Sequence, residues 1–176
     1  DIDERRMVPA TTVYVPFGCP DWGETKGLRN SLCTFCALPN SVSAYRAAFY
    51  GEEGIPDEDH VRLFGQTLRA APQADRHTLM IFNAGSFLAM PARVQEEIMH
   101  AVVEGVAPKR IVIESRAPLI TETALRSLLA ILVPCGVKLT IRVGVESKDD
   151  HLRLKVLRKG HSRKQLVHAS ALMRDF

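Results

Sequence analysis

No apolar run in this 176-residue chain approaches the roughly 20 residues that cross a bilayer, and no secretory leader opens it. A membrane partner is therefore not expected. Cysteine is scarce: four residues, unevenly placed, too few and too irregular for the disulfide framework of a secreted domain. That usage fits metal binding in a reducing, cytoplasmic compartment. Charge of one sign is also lacking, since 23 Lys and Arg meet 20 Asp and Glu for a net +3. So weak a field neither demands nor excludes a nucleic-acid partner. There is no low-complexity segment, no linker and no internal sequence repeat. What remains is 46% apolar residues, enough for the core of one soluble domain.

Three of the four cysteines fall in residues 19–36 (CPDWGETKGLRNSLCTFC), at the spacing C-x13-C-x2-C. Two thiolates of a C-x-x-C can reach one metal, and a third can fold back across a loop that Gly23 and Gly27 allow to bend. Three thiolates suit either an incomplete zinc site or an iron–sulfur cluster with one iron open.

The surrounding pattern alternates. Residues 1–10 are charged and read as a loose lead-in, and 11–176 as the core domain. Residues 11–17 (TTVYVPF) form a β-branched, aromatic strand that stops at Gly18, one residue before the cysteine loop. A helix is predicted over 42–49, and after GEEGIPDED another over 60–70, capped by Asp59, with Val61, Phe64 and Leu68 on its inner face. Strand 78–82 (TLMIF) precedes helix 93–104, with Val94, Ile98, Ala101 and Val102 inward and Gly105 past its end. Strand 110–113 (RIVI) precedes helix 122–133, capped by Thr121 and closed by Pro134 and Gly136. Strand 138–145 (KLTIRVGV) leads to helices over 149–158 and 162–174, separated by Gly160; Ser162 and Gln165 have capping-box spacing. Four β-loop-α units predict an α/β fold with a parallel sheet.

In such folds the chemistry collects beyond the carboxyl ends of the strands. Each strand here delivers a distinctive group to that rim: Cys19, then Asn83, Gly85 and Ser86, then Glu114 and Arg116, then Glu146. Taken singly, any of these is an ordinary polar strand end or turn. Cys135 precedes the fourth strand and belongs on the opposite rim, where a small apolar filler is its expected role. His60, His77 and His100 are expected as surface or capping residues, which leaves no obvious fourth ligand for zinc.

The pair Cys33-Thr34-Phe35-Cys36 after a first strand, with a third cysteine upstream, resembles the radical S-adenosylmethionine (SAM) superfamily. Most members space these cysteines C-x3-C-x2-C; the wide first gap is similar to the branch of the Elongator catalytic subunit and the archaeosine-forming tRNA enzymes. FNAGSFL (82–88), IVIESRAP (111–118) and VGVESKDDHLRLKVLRKGHS (143–162) resemble that branch in the same order. The resemblance implies a partial (βα) barrel, with four units present of the usual six. It implies that Cys19, Cys33 and Cys36 ligate a [4Fe-4S] cluster whose open iron binds SAM. Phe35 would shield the cluster and approach the adenine. Gly85 and Ser86 would meet the SAM amino group, Arg116 its carboxylate and Glu146 its ribose, with Glu114 orienting Arg116 or contacting SAM. The implied activity is reductive cleavage of SAM to a 5′-deoxyadenosyl radical that abstracts a substrate hydrogen. A flavodoxin- or ferredoxin-like protein would supply the electron, and the branch makes a tRNA nucleoside the substrate.

Three alternatives stay open at this level. The substrate is a small metabolite or peptide; the loop is a structural zinc site of a binding module; or Cys33 and Cys36 form a thioredoxin-like redox pair, which leaves Cys19 idle. Basic residues at 109–110, 153–159 and 163–164 offer RNA surface, or else are plain solvated helix faces.

Overall fold

β-Branched and aliphatic residues alternate with short polar turns four times, and each apolar run becomes a strand of one sheet. The computed structural model describes residues 7–19, 33–51, 55–71 and 77–176. The strands are β1 (Ala10–Tyr14), β2 (Thr78–Phe82), β3 (Arg110–Glu114) and β4 (Lys138–Arg142). They lie in the order β1-β2-β3-β4, and every neighbouring pair is parallel. The helices are α1 (Leu38–Phe49), α2 (Asp57–Ala70), α3 (Ala92–Gly105), α4 (Glu122–Leu132) and α5 (Arg163–Asp175). α3 packs between α2 and α4, α2 against β1 and α4 against β4. A doubly wound sheet would permute its strands and split its helices between two faces. Sequential order with neighbouring helices in contact is instead the winding of a partial (βα) barrel, as expected.

The core follows from that layering. Val13, Leu79, Ile81, Ile111 and Ile113 of the strands meet Phe64, Leu68, Val94, Ile98, Val102, Leu125 and Leu128 of the helices, all buried. Ile111, Val112 and Ile113 are buried in succession, so β3 is covered on both faces, as a central parallel strand must be. β4 is only half covered along its length and forms one edge.

Several boundaries shift for local reasons. β1 ends at Tyr14 rather than residue 17, because the Phe17 amide turns back to the Val15 carbonyl at 2.8 Å. α1 starts at Leu38, four residues early. α2 starts at Asp57, and Asp59 does not cap it; its carboxylate accepts from Arg62 Nε at 2.8 Å, one turn on. In place of a cap, Asp57, Glu58 and Asp59 put three negative charges on the positive end of the helix dipole. Gly105 closes α3 from inside, and Ala107 takes the left-handed turn at φ 47°. Thr121 caps α4 as expected, accepting from the Ala124 amide at 3.2 Å, and Gly136 turns left-handed at φ 67° before β4. The capping box of Ser162 and Gln165 is formed. The helix predicted over 149–158 forms over 150–156, shorter than expected and with π-type winding at Leu152–Val156, and Arg158 at φ 52° ends it. No helix among the described residues is long and apolar enough to cross a membrane.

Candidate metal and cofactor site

The rim is assembled by backbone bonds between strand exits. Leaving β1, the Val15 amide donates to Phe82 O and the Gly18 amide to Asn83 O, both at 2.8 Å. Gly18, at φ 90°, then swings Cys19 toward β2. Gly85 makes this approach possible. A Cβ on it would lie 2.3 Å from Gly18 O and 2.9 Å from Cys19 Cα, both rigid backbone. Ser86 is buried, and its hydroxyl oxygen accepts from the Arg116 amide at 3.1 Å, which ties the β2 exit to the β3 exit. Arg116 reaches across the rim, Nη2 donating to Gly160 O at 3.3 Å. Burial lowers its pKa, and the nearby Cys19 acts in the opposite direction. Glu114 faces solvent, opposite Arg142 in the β3–β4 register.

The cysteine pair arrives from the other side. Cys36 N donates to Cys33 O at 3.3 Å, so the two thiols sit on one tight turn. That turn docks on the segment after β4: Thr34 N donates to Leu157 O at 3.0 Å and Thr34 Oγ1 to Val156 O at 3.1 Å. Between them the Lys159 ammonium lies 5.4 Å from the Phe35 ring centroid and 2.9 Å from Glu146 Oε1. Glu146 holds a left-handed backbone at φ 59°, which turns the chain out of β4.

Cys19, Cys33 and Cys36 are half-buried cysteines. Burial pushes the Cys19 pKa up to about 11, against the pull of Arg116 and with a further push from Cys33 and Cys36. Burial also raises Cys33, chiefly opposed by Lys159. Cys19 thus feels the charge of Cys33 and Cys36, and Cys33 that of Cys36, although no three His, Cys, Asp or Glu among the described residues already stand at metal-binding distance. Thiols held neutral by burial become thiolates when a cation takes up their charge. The donor set therefore fits an iron–sulfur cluster in its chemistry. Residues 20–32, with Trp22, Lys26 and Arg29, lie outside the described residues.

Some of the polar residues lie elsewhere than the sequence suggests. His60 is buried rather than at the surface, its ring tilted against Phe17 at 5.0 Å between centroids, and burial lowers its pKa. Cys135 is exposed and fills nothing, because the turn of residues 133–135 lifts it off α4. Arg153 is no surface cation: it is fully buried. Its Nε donates to His161 O at 2.8 Å, its Nη1 to Ser147 O and its Nη2 to Asp150. These bonds close residues 147–161 into a compact platform, the one that carries the Cys33–Cys36 turn. Arg163 and Lys164 are exposed, and Lys109 is too.

His161, also fully buried, was not singled out as a site residue. Burial first, then Lys159, Arg116 and Arg153, push its pKa down to about 4. The Gly144 backbone lies close enough to act the other way, but neither ring nitrogen makes a hydrogen bond of normal geometry. The side-chain amide of Asn83 is likewise buried and unpartnered. The signal for Lys159 and His161 was the Lys-Gly-His motif itself; for Arg153 the only signal was its place between Leu152 and Leu154.

No protein-family model matches the chain. It is 23% identical over 170 residues to the archaeosine synthase subunit beta of Methanosarcina acetivorans, covering 94% of this chain and 44% of that one. Its fold is similar to that of a queuine lyase from Clostridium spiroforme, solved bound to SAM and queuine. That match has a TM-score of 0.55 at 18% identity and covers 90% of this chain and 58% of the other. The chain thus spans about half the length of each relative. The fold and the rim define a parallel-sheet α/β protein of the partial-barrel class. Within that class the chain resembles the archaeosine synthase subunit in sequence and the SAM-bound queuine lyase in fold.

Proposed function

We propose that this chain is the core of a radical SAM enzyme that acts on a modified nucleoside of tRNA. One observation carries the reading: Cys19, Cys33 and Cys36 meet Ser86, Arg116 and Glu146 on a single rim, joined by the bonds of Arg116 to Ser86 and Gly160 and of Thr34 to residues 156 and 157. Cys19, Cys33 and Cys36 would hold a [4Fe-4S] cluster, which when bound would supply the electron that cleaves SAM to methionine and a 5′-deoxyadenosyl radical.

The other residues bind and orient. The Arg116 guanidinium offers its planar fork to the SAM carboxylate. Ser86 has spent one lone pair on the Arg116 amide and keeps its second to accept from the amino group. Gly85 contributes by having no Cβ, which lets the Cys19 backbone close over the rim. The Glu146 carboxylate accepts from ribose hydroxyls, sharing itself with Lys159. Phe35, half exposed, caps the site and limits water there. A flavodoxin- or ferredoxin-like donor completes the cycle.

The tRNA assignment is supported by the likeness to proteins named for archaeosine and queuine. The solved relative holds queuine itself, which favours a free base or other small molecule as the second reading. The test is anaerobic purification and reconstitution with iron and sulfide. A cluster whose EPR signal changes on adding SAM is expected; a colourless protein with one tight zinc would sink the proposal. Release of 5′-deoxyadenosine with tRNA, but not with the free base, then separates the two substrates.

A further inference from the structure

Lys159 carries out no step of the chemistry just proposed, yet its side chain touches both the cysteine turn and the Glu146 carboxylate beyond β4. Its side chain is only 16% exposed, so it is not a solvated surface cation. The ammonium contacts the Glu146 carboxylate at 2.9 Å and faces the Phe35 ring at 5.4 Å. It also lies within electrostatic range of Cys19 and Cys33. The space for this arrangement is built in. A Cβ on Gly144 would fall 2.7 Å from Lys159 Nζ and 2.8 Å from Glu146 Oε1, so only glycine at 144 leaves the ion pair undisturbed. Its backbone is equally fixed: the Lys159 amide donates to Arg153 O at 2.8 Å, on the platform that the buried Arg153 guanidinium closes.

We propose that Lys159 is a positioning residue that clamps the Phe35 face of the cysteine turn to the Glu146 carboxylate and sets one fixed positive charge beside the thiolates. The proposal rests on the iron–sulfur reading above. A cluster on three thiolates gains negative charge when it is reduced. A fixed cation at short range in a water-poor site stabilises that reduced form, and the paired Glu146 carboxylate moderates the effect.

The experiment is a redox titration of the reconstituted full-length protein, followed by EPR, with SAM affinity measured in parallel. Lys159→Met should retain iron and shift the oxidised-to-reduced balance about tenfold, a midpoint about 59 mV more negative for one electron. It should also weaken SAM binding by freeing Glu146. Lys159→Arg should stay near the parent in both. Glu146→Gln, which keeps the ammonium and removes its counter-charge, should move the midpoint the other way. A Lys159→Met midpoint equal to the parent's at equal iron content overturns the inference. So does a Glu146→Gln shift in the same direction, or iron lost from both Lys159 variants while circular dichroism shows an intact fold. A parent protein with no cluster overturns the functional reading itself, so the two failures are distinguishable.

Discussion

Gly85→Ala tests the geometry of the rim most directly, because the clash it creates involves backbone alone. The new methyl carbon would lie 2.3 Å from Gly18 O, 2.7 Å from Gly18 C and 2.9 Å from Cys19 Cα. None of these atoms can rotate away, and Gly18 is pinned by its bond to Asn83 O at 2.8 Å. Either that bond breaks or the β1 exit moves, and such overpacking costs about 1–3 kcal/mol. For a domain of this size each kcal/mol is worth roughly 2–4 °C, so Tm should fall by roughly 2–12 °C. Cys19 moves with Gly18, so iron retained per chain after reconstitution should fall as well. Gly105→Ala is the control. Among the described residues nothing lies within 4 Å of a Cβ there, at the end of α3, so that variant should be neutral or gain up to about 1 kcal/mol. Differential scanning calorimetry with an iron assay reads both. A Gly85→Ala protein with the parent Tm and iron content would refute the close approach of Cys19 to the second strand.

Arg153→Met should destabilise the apo-protein by about 3–5 kcal/mol in urea denaturation, because the carboxylate of Asp150 and two carbonyls lose their buried donor. Arg153→Lys should recover little of this, since an ammonium cannot reproduce the fork; full recovery would contradict the assignment. His161 makes stability depend on pH. Its folded pKa of about 4 lies below the unfolded value, so the unfolded chain binds more protons in between. Stability is then full above about pH 6.5 and falls by up to about 3 kcal/mol as pH drops toward 4. His60, also lowered by burial, adds in the same direction. Replacing His161 by Phe should flatten that stretch of the curve, and an unchanged slope would show that His161 is not held neutral. Arg116→Ala should leave the iron content intact and weaken SAM binding roughly 10- to 100-fold, the worth of one charged hydrogen-bond pair. Iron lost along with SAM affinity would assign Arg116 to Cys19 rather than to the cofactor.

The parts of the fold legible in the sequence are those fixed by local chemistry. TLMIF and RIVI became β2 and β3 because runs of buried aliphatics bounded by polar turns have few other uses. Thr121, Ser162 and Gln165 capped as expected, since a cap needs only its own first turn. The rim was legible for the same reason: parallel strands must end on one side, so their exits converge wherever the helices go. The order of residues 147–161 was not legible, because it comes from burying a side chain that charge alone places at the surface. Buried Arg153 satisfies the carbonyls of Ser147 and His161, six and eight residues away, and nothing in the local pattern marks that burial. The expected helix forms over 150–156, with π-type winding from Leu152 onward.

That failure bears on how the site is held. Propensity specifies the strands that bring Cys19 to the rim, so Cys19 is positioned by the sheet. The Cys33–Cys36 turn hangs instead on Thr34 and on a platform closed by one buried guanidinium. The two halves therefore differ in what can loosen them. A change in the strands threatens the whole fold, whereas a change at Arg153 or Thr34 releases the cysteine turn while leaving the sheet intact. Hydrogen exchange should reflect this directly: amides of β2 and β3 should be the slowest in the chain, and the Thr34 amide should exchange with those of the platform. Thr34 protection at the level of β3 would show that the turn is part of the sheet's cooperative unit and not a separate clamp.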